Sequence, residues 1–264
     1  MFFSPLNAAA RTWQGRSVWL IGASTGIGKA CAQALMAQGA RVAVSARQQD
    51  LLQELCAGHP NAFSVPCDVT DPASVHKAAE QIQAHQGLDW VVYCAGHYKP
   101  IRPLENLNLP ELMRHQEVNY HGALHAIDAV LPTLVAQRHG HISLLASVAG
   151  YRGLPMSLAY GPTKAAMQHL AEILYMELRP AVIGVSVVNP GFVATPLTAQ
   201  NRFHMPALIR PEQAAREILS GWENGDFEIH FPRRFSRFLK CLRWLPDRLY
   251  FSLVWRATQG SIHS

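Results

Sequence analysis

The sequence is short of cysteine, of charge and of long apolar runs. Its five cysteines (Cys31, Cys56, Cys67, Cys94, Cys241) are scattered, and no two stand at metal-ligand spacing. That excludes a zinc framework and a disulfide-stapled domain, and points to reduced thiols in a cytosol-like, cytoplasmic compartment. Charged residues make up 16% of the 264 and hydrophobic ones 49%, which excludes a disordered chain and leaves material for a large core. The longest stretch without a charge, 180–201, contains Asn189-Pro190-Gly191 and Pro196. It suits a buried strand leading into a loop, not a membrane span. Met1 to Trp19 has no apolar core behind a basic end, so no secretory signal is expected.

The body also lacks any excess of basic residues. The net charge is +5, but from Arg233 onward there are seven basic residues and one acid, Asp247. The preceding 232 residues are close to neutral. A nucleic-acid surface on the body is therefore excluded, and the basicity belongs to a C-terminal tail.

Short apolar runs alternate with helical stretches. Ser17–Gly22, Arg41–Ala46, Ala62–Pro66, Leu88–Cys94, His141–Ala146, Val182–Val188 and Phe227–His230 read as strands. Helices are predicted over Gly26–Gln38, Gln48–Ala57, Asp71–His85, Pro110–Val135 (one long helix), Ser157–Leu178 and Pro211–Trp222. Strands apolar on both faces and separated by helices imply an α/β fold with a parallel sheet covered on both sides. Ligands of such sheets bind at the carboxyl ends of the strands.

Gly22-Ala23-Ser24-Thr25-Gly26-Ile27-Gly28 closes the first strand and opens the first helix. Glycines there allow a tight turn and close approach to a pyrophosphate, which the helix N-terminus attracts. The same residues also fit the Gly-x-Ser-x-Gly turn of serine hydrolases, with Ser24 as nucleophile. The second strand ends in Ala46-Arg47, where an acid would bind a ribose 2′-hydroxyl. Arg47 instead offers a guanidinium to a 2′-phosphate. Tyr160 and Lys164 are four apart and share one helix face. An ammonium beside a phenol lowers the phenol pKa and makes it usable as an acid or base. His121 and His125 are also four apart but lack a third ligand, so no metal site is expected. His139-Gly140-His141 borders a strand and is expected in a turn.

Together with Cys67-Asp68-Val69, Cys94-Ala95-Gly96, Val118-Asn119, Ser147 and Asn189-Pro190-Gly191 followed by Thr195, these motifs resemble the short-chain dehydrogenase/reductase family over about 11–230. The resemblance implies a single doubly wound Rossmann-type domain with a seven-stranded parallel sheet; residues 231–264, beyond the composition break near Pro232, read as a basic amphipathic helical tail outside it. It implies Tyr160 as proton donor to a substrate carbonyl and Ser147 as hydrogen-bond partner of the same oxygen. Lys164 would hold the nicotinamide ribose and lower the tyrosine pKa, and Asn119 would hold a relay water. Gly22, Ser24, Thr25, Gly26, Ile27 and Gly28 would hold the cofactor phosphates. Asp68 and Val69 would meet the adenine, Ala95 and Gly96 the adenosine ribose, and Pro190, Gly191, Val193 and Thr195 the nicotinamide end. Arg47 is the family's NADP(H) pattern. Tyr93 and Cys94 depart from the family's paired asparagines, and Ile21 from its usual threonine. The family also implies a homodimer or tetramer.

Phe192, Leu197, Phe203, Met205, Leu208 and Ile209 fall in the segment that would form a substrate lid, about 192–210, with Leu154 and Met156 facing it. An apolar pocket and a lipophilic carbonyl or alcohol substrate follow. In the tail, Phe235, Phe238, Leu239, Leu242 and Leu245 fall on one helix side, and Arg234, Arg237 and Lys240 lie away from them. A second aromatic stretch runs from Leu249 to Arg256. A basic amphipathic helix with Trp and Phe fits peripheral membrane contact through residues 233–256, against packing on the body or a second subunit. The leading function is an NADP-dependent oxidoreductase interconverting a carbonyl and an alcohol. The alternatives are a serine hydrolase using Ser24 and a non-catalytic NADP-binding interaction protein.

Overall fold

The computed structural model describes residues 5–201 and 203–262, the last four as backbone only. The chain alternates strand and helix: β1 (Ser17–Ile21), α1 (Gly26–Ala37), β2 (Arg41–Ser45), α2 (Gln49–Cys56), β3 (Ala62–Ser64), α3 (Pro72–Gln86) and β4 (Trp90–Tyr93). Then follow α4 (Leu109–Gln116), α5 (Gly122–Gln137), β5 (Gly140–Leu145), α6 (Tyr160–Leu178), β6 (Ile183–Pro190), α7 (Pro211–Asn224), β7 (Glu228–Phe231), α8 (Arg233–Arg243) and α9 (Asp247–Ile262).

The seven strands form one sheet in the order β3-β2-β1-β4-β5-β6-β7, every pair parallel. Strand side chains alternate between two buried layers. Trp19 and Ile21 join the side covered by α3, α5 and α6, while Val18 and Leu20 join the side covered by α1, α2 and α7. Burial on both faces is why these strands read as continuous apolar runs. Local signals set the helix starts: Asp71 and Asn108 each accept a backbone N–H, with Pro72 one residue after the first and Pro110 two residues after the second. The chain grows outward from β1 to β3, then restarts at β4 on the other side of β1. The crevice between the carboxyl ends of β1 and β4 is thus the switch point of the sheet.

Three expectations change. The single helix over Pro110–Val135 is interrupted by a π turn, Glu117–His121, between α4 and α5. His141 is not in a turn: it lies in β5, buried, with Nε2 2.8 Å from Ser186 Oγ and its ring stacked on Trp90. Burial and the nearby Arg16 push its pKa down to about 3. In the tail, Phe238 faces outward, and Lys240 turns inward to Glu228 at 2.6 Å. The reason is that Ser236, fully buried against His230, sets the side of α8 that faces the body. The body's packing also takes in Asn7, Ala10 and Trp13, with Asn7 bonded to both backbone groups of Val185.

Candidate active site

The turn after β1 presses directly on the loop after β4. A Cβ at Gly22 would lie 2.4 Å from Ala95 N, and one at Gly28 would lie 2.2 Å from Gly22 O. Only glycine permits this approach, which leaves a floor of bare backbone at the α1 N-terminus. That floor opens into a cleft of about 470 Å³. Every residue predicted to touch the cofactor lines it, as do Ser147, Tyr160 and Lys164.

At one end Arg47 is exposed beside Asp68. Burial raises the Asp68 carboxyl, but hydrogen bonds from Thr70 and the guanidiniums of Arg47 and Arg114 outweigh it and hold the pKa below its ordinary value. Arg114, on α4, lines this end too, and sequence reasoning missed it. Its only signal is its place five residues before Asn119.

At the other end Ser147 follows β5 and caps a short 3₁₀ turn, accepting from Ala149 N at 3.1 Å. Tyr160 opens α6, and Lys164 lies one turn on. Lys164 Nζ donates to Leu145 O at 2.7 Å and sits 5.4 Å from the Tyr160 ring centre. Burial raises the Tyr160 phenol, which the Ser147 hydroxyl partly opposes, and Tyr98 adds to the rise. Burial also lowers Lys164 to about 8. The expected lowering of the tyrosine by the lysine is therefore absent here, because desolvation acts on both groups and the ammonium is held on a carbonyl.

Asn119 does not line the cleft. It is fully buried in the π turn, donates to His97 O and Thr163 Oγ1, both at 3.0 Å, and accepts from His97 N at 2.6 Å. It clamps the peptide after Gly96 to α6. Tyr93, where the family has asparagine, donates to Val118 O at 2.5 Å and pins the same turn. Tyr98 is the other missed residue. Its ring packs edge-on to Tyr160 at 5.1 Å, and its hydroxyl donates to Asn201 in the lid.

The lid is only partly what the apolar pattern implied. Leu197 and Thr198 line the cleft. Phe192 instead packs on Phe203 and Phe235, and Ile209 packs on the core. Arg202 lies outside the described residues. His121 and His125 do not converge: His125 Nδ1 is bonded to Val69 O and His121 is exposed. Ser24 has no histidine or acid bonded to it among the described residues, so the hydrolase arrangement is missing. His97, Glu111 and His115 do converge. Both His115 nitrogens are committed, to Glu111 O and Lys99 N, so the three form a hydrogen-bonded brace for the loop after Gly96.

The family described as short chain dehydrogenase matches residues 16–205. The chain belongs to that family. It is an oxidoreductase fold whose cleft suits the nicotinamide cofactor with which short-chain dehydrogenases work, given the glycine floor and the residues along its walls. An uncharacterised oxidoreductase of Myxococcus xanthus is 32% identical over 240 residues, covering 89% of this dehydrogenase and 94% of the relative. A short-chain dehydrogenase structure from Streptomyces avermitilis shares the fold at TM-score 0.76 and 24% identity, covering 93% of this chain and 99% of that one. Another, from Burkholderia phymatum in complex with NAD, aligns at TM-score 0.79 and 21% identity, covering 86% and 92%.

Proposed function

We propose that this dehydrogenase interconverts a carbonyl and an alcohol with NADP(H), on a lipophilic substrate. The observation that carries it is one cleft joining Arg47 to the Ser147–Tyr160–Lys164 group. When bound, the nicotinamide would supply or take the hydride. The backbone of 22–28 would hold the phosphates, and Arg47 with Arg114 would meet the adenosine end, where two guanidiniums suit a 2′-phosphate. Ser147 Oγ orients the substrate oxygen, and Tyr160 Oη donates its proton to that oxygen in reduction. Lys164 holds the ribose and offsets the phenolate as it forms. Asn119 keeps α6 and the loop after Gly96 in register.

Support for a lipophilic substrate comes from Tyr98 against Tyr160, from Leu197 in the cleft wall, and from the aromatic tail next to the lid. Peripheral membrane contact through residues 233–256 belongs to the same reading. So does a homodimer or tetramer, supported by exposed Ile173 and Met176 on α6 and Met113 on α4. A panel of long-chain aldehydes, keto lipids and simple ketones, with NADPH oxidation as readout, tests the activity. Tyr160→Phe should cost about 10²–10⁴-fold in turnover while NADPH still binds. Turnover kept by that variant sinks the assignment.

A further inference from the structure

The outward side of the tail is both apolar and cationic, and the body leaves it bare. Trp244, at the end of α8, is 87% exposed, and Phe238 one and a half turns earlier is 55% exposed. On α9, Leu249, Phe251, Leu253 and Trp255 are exposed, and among the described side chains Tyr250 and Val254 turn inward and are buried. Arg234, Arg237, Phe238, Cys241 and Trp244 follow one another at helical spacing along α8 and are all exposed. Arg233, Arg243, Arg248 and Arg256 are exposed as well.

None of these six arginines is in an ion pair among the described residues. Of the acids near this face, Asp247 is held by Arg152 and Glu228 by Lys240, while Glu217 and Asp226 share a hollow with Arg233 and Arg237 at its inner end. Charge decides what covers this face. A second copy laid face to face on it would set six arginines against six more. An anionic lipid surface answers both features, with headgroups for the arginines and an interface in which Trp and Phe settle. Among the described residues no helix is long and apolar enough to cross a membrane, so the contact is along the surface.

The same tail borders the mouth of the cleft. Phe235 of α8 packs on Phe192, and a Cβ at Gly191 would lie 3.0 Å from the Phe235 ring. Arg152, five residues after Ser147, donates to the carbonyls of Leu242, Arg243 and Leu245, and its guanidinium lies over Tyr250. The helices that would meet lipid thus hold the two segments flanking the substrate side. We propose that α8 and α9 dock the protein on an anionic phospholipid surface beside the active-site mouth, which makes its substrate a carbonyl or alcohol dissolved in the bilayer. The substrate half of this rests on the reductase reading above.

The test is co-sedimentation of the full chain with phosphatidylcholine vesicles, with and without a third of phosphatidylglycerol. At least tenfold more binding to the anionic vesicles, falling with salt, is the expected result. Arg237→Glu with Arg243→Glu and Arg248→Glu should reverse it, and Trp244→Ser with Trp255→Ser should weaken it. NADPH binding by each variant checks that it is folded. Equal binding to both vesicles overturns the proposal. So does absence of binding, above all if the chain is a dimer that Trp244→Ser dissociates, since a second copy then covers the face. Turnover of a long-chain aldehyde should rise when it is carried in anionic rather than neutral vesicles, and turnover of a water-soluble ketone should not. Vesicle binding without turnover of any carbonyl would sink the reductase reading and leave docking intact. Turnover without vesicle binding would do the reverse.

Discussion

The Arg152 guanidinium lies 3.9 Å over the ring of Tyr250 and caps the carbonyl end of α8, while its other nitrogen meets Asp247. One side chain therefore closes the junction of α8 and α9 onto the loop that follows Ser147. Three carbonyls at and just past the end of α8 converge on a planar fork that lysine cannot reproduce. Arg152→Ala should cost about 2 kcal/mol, or about 4–8 °C in Tm for a chain of this size, and Arg152→Lys nearly as much. Limited proteolysis should cut first near Pro246 in both variants. An unchanged Tm would mean that the apolar contacts of Tyr250 and Val254 hold the tail alone.

Arg47 sets the expected choice of cofactor. It is exposed, it acts on Asp68, and it is in no ion pair among the described residues. Arg47→Ala should weaken NADPH binding about 10- to 100-fold and leave NADH nearly unchanged, measured by fluorescence titration. Arg114→Ala should act in the same direction. If NADPH and NADH bind equally to the unaltered protein, the phosphate reading of Arg47 fails.

The lowered Lys164 gives a pH signature. Its ammonium persists below about 8 and is lost as pH rises through that value in the free protein. Cofactor affinity should therefore hold up to about pH 8 and fall up to about tenfold per unit above it. Binding isotherms from pH 6.5 to 9.5 read this directly. Lys164→Ala should bind weakly with no such slope, and a slope surviving in that variant would assign it elsewhere.

His141 predicts acid sensitivity of the fold. Its folded pKa of about 3 lies below the unfolded value of 6.5, so the unfolded chain takes up the extra proton between them. The stability it contributes is complete above about pH 6.5 and is lost as pH falls toward 3, by up to about 1.4 kcal/mol per unit. Urea midpoints at pH 7 and pH 5 should differ less in His141→Gln. Identical differences in the two proteins would acquit this histidine.

Much of this was visible in the residues. The strands that build the cleft are apolar on both faces and bounded by glycine or proline, so their places follow from local pattern. The lining of the cleft follows from motifs that all sit at carboxyl ends of strands, which one parallel sheet must bring together. Asn119, Arg114 and Tyr98 are different. Where each goes depends on the π turn or on the lid, and neither has a periodic signal of its own. The sequence places His141 at the start of a strand but does not foretell its burial, because a polar residue between glycine and isoleucine looks like an exposed strand end. Only the distant Ser186 and Trp90 make its burial tolerable. Phe238 was misplaced because helical spacing groups side chains without saying which edge of the group meets the body.

The π turn at 117–121 carries one residue more than a regular helix needs. Because each residue turns a helix by about 100°, that extra residue fixes the relative rotation of α4 and α5. Arg114 reaches the cleft, and His115 the loop after Gly96, only if α4 is wound at one angle, and Ala123, Ala126 and Ile127 reach the core only if α5 is wound at another. Deleting a single residue there would leave either the cleft or the core facing the wrong way. The segment thus tolerates changes of side chain at its surface far better than any change of length.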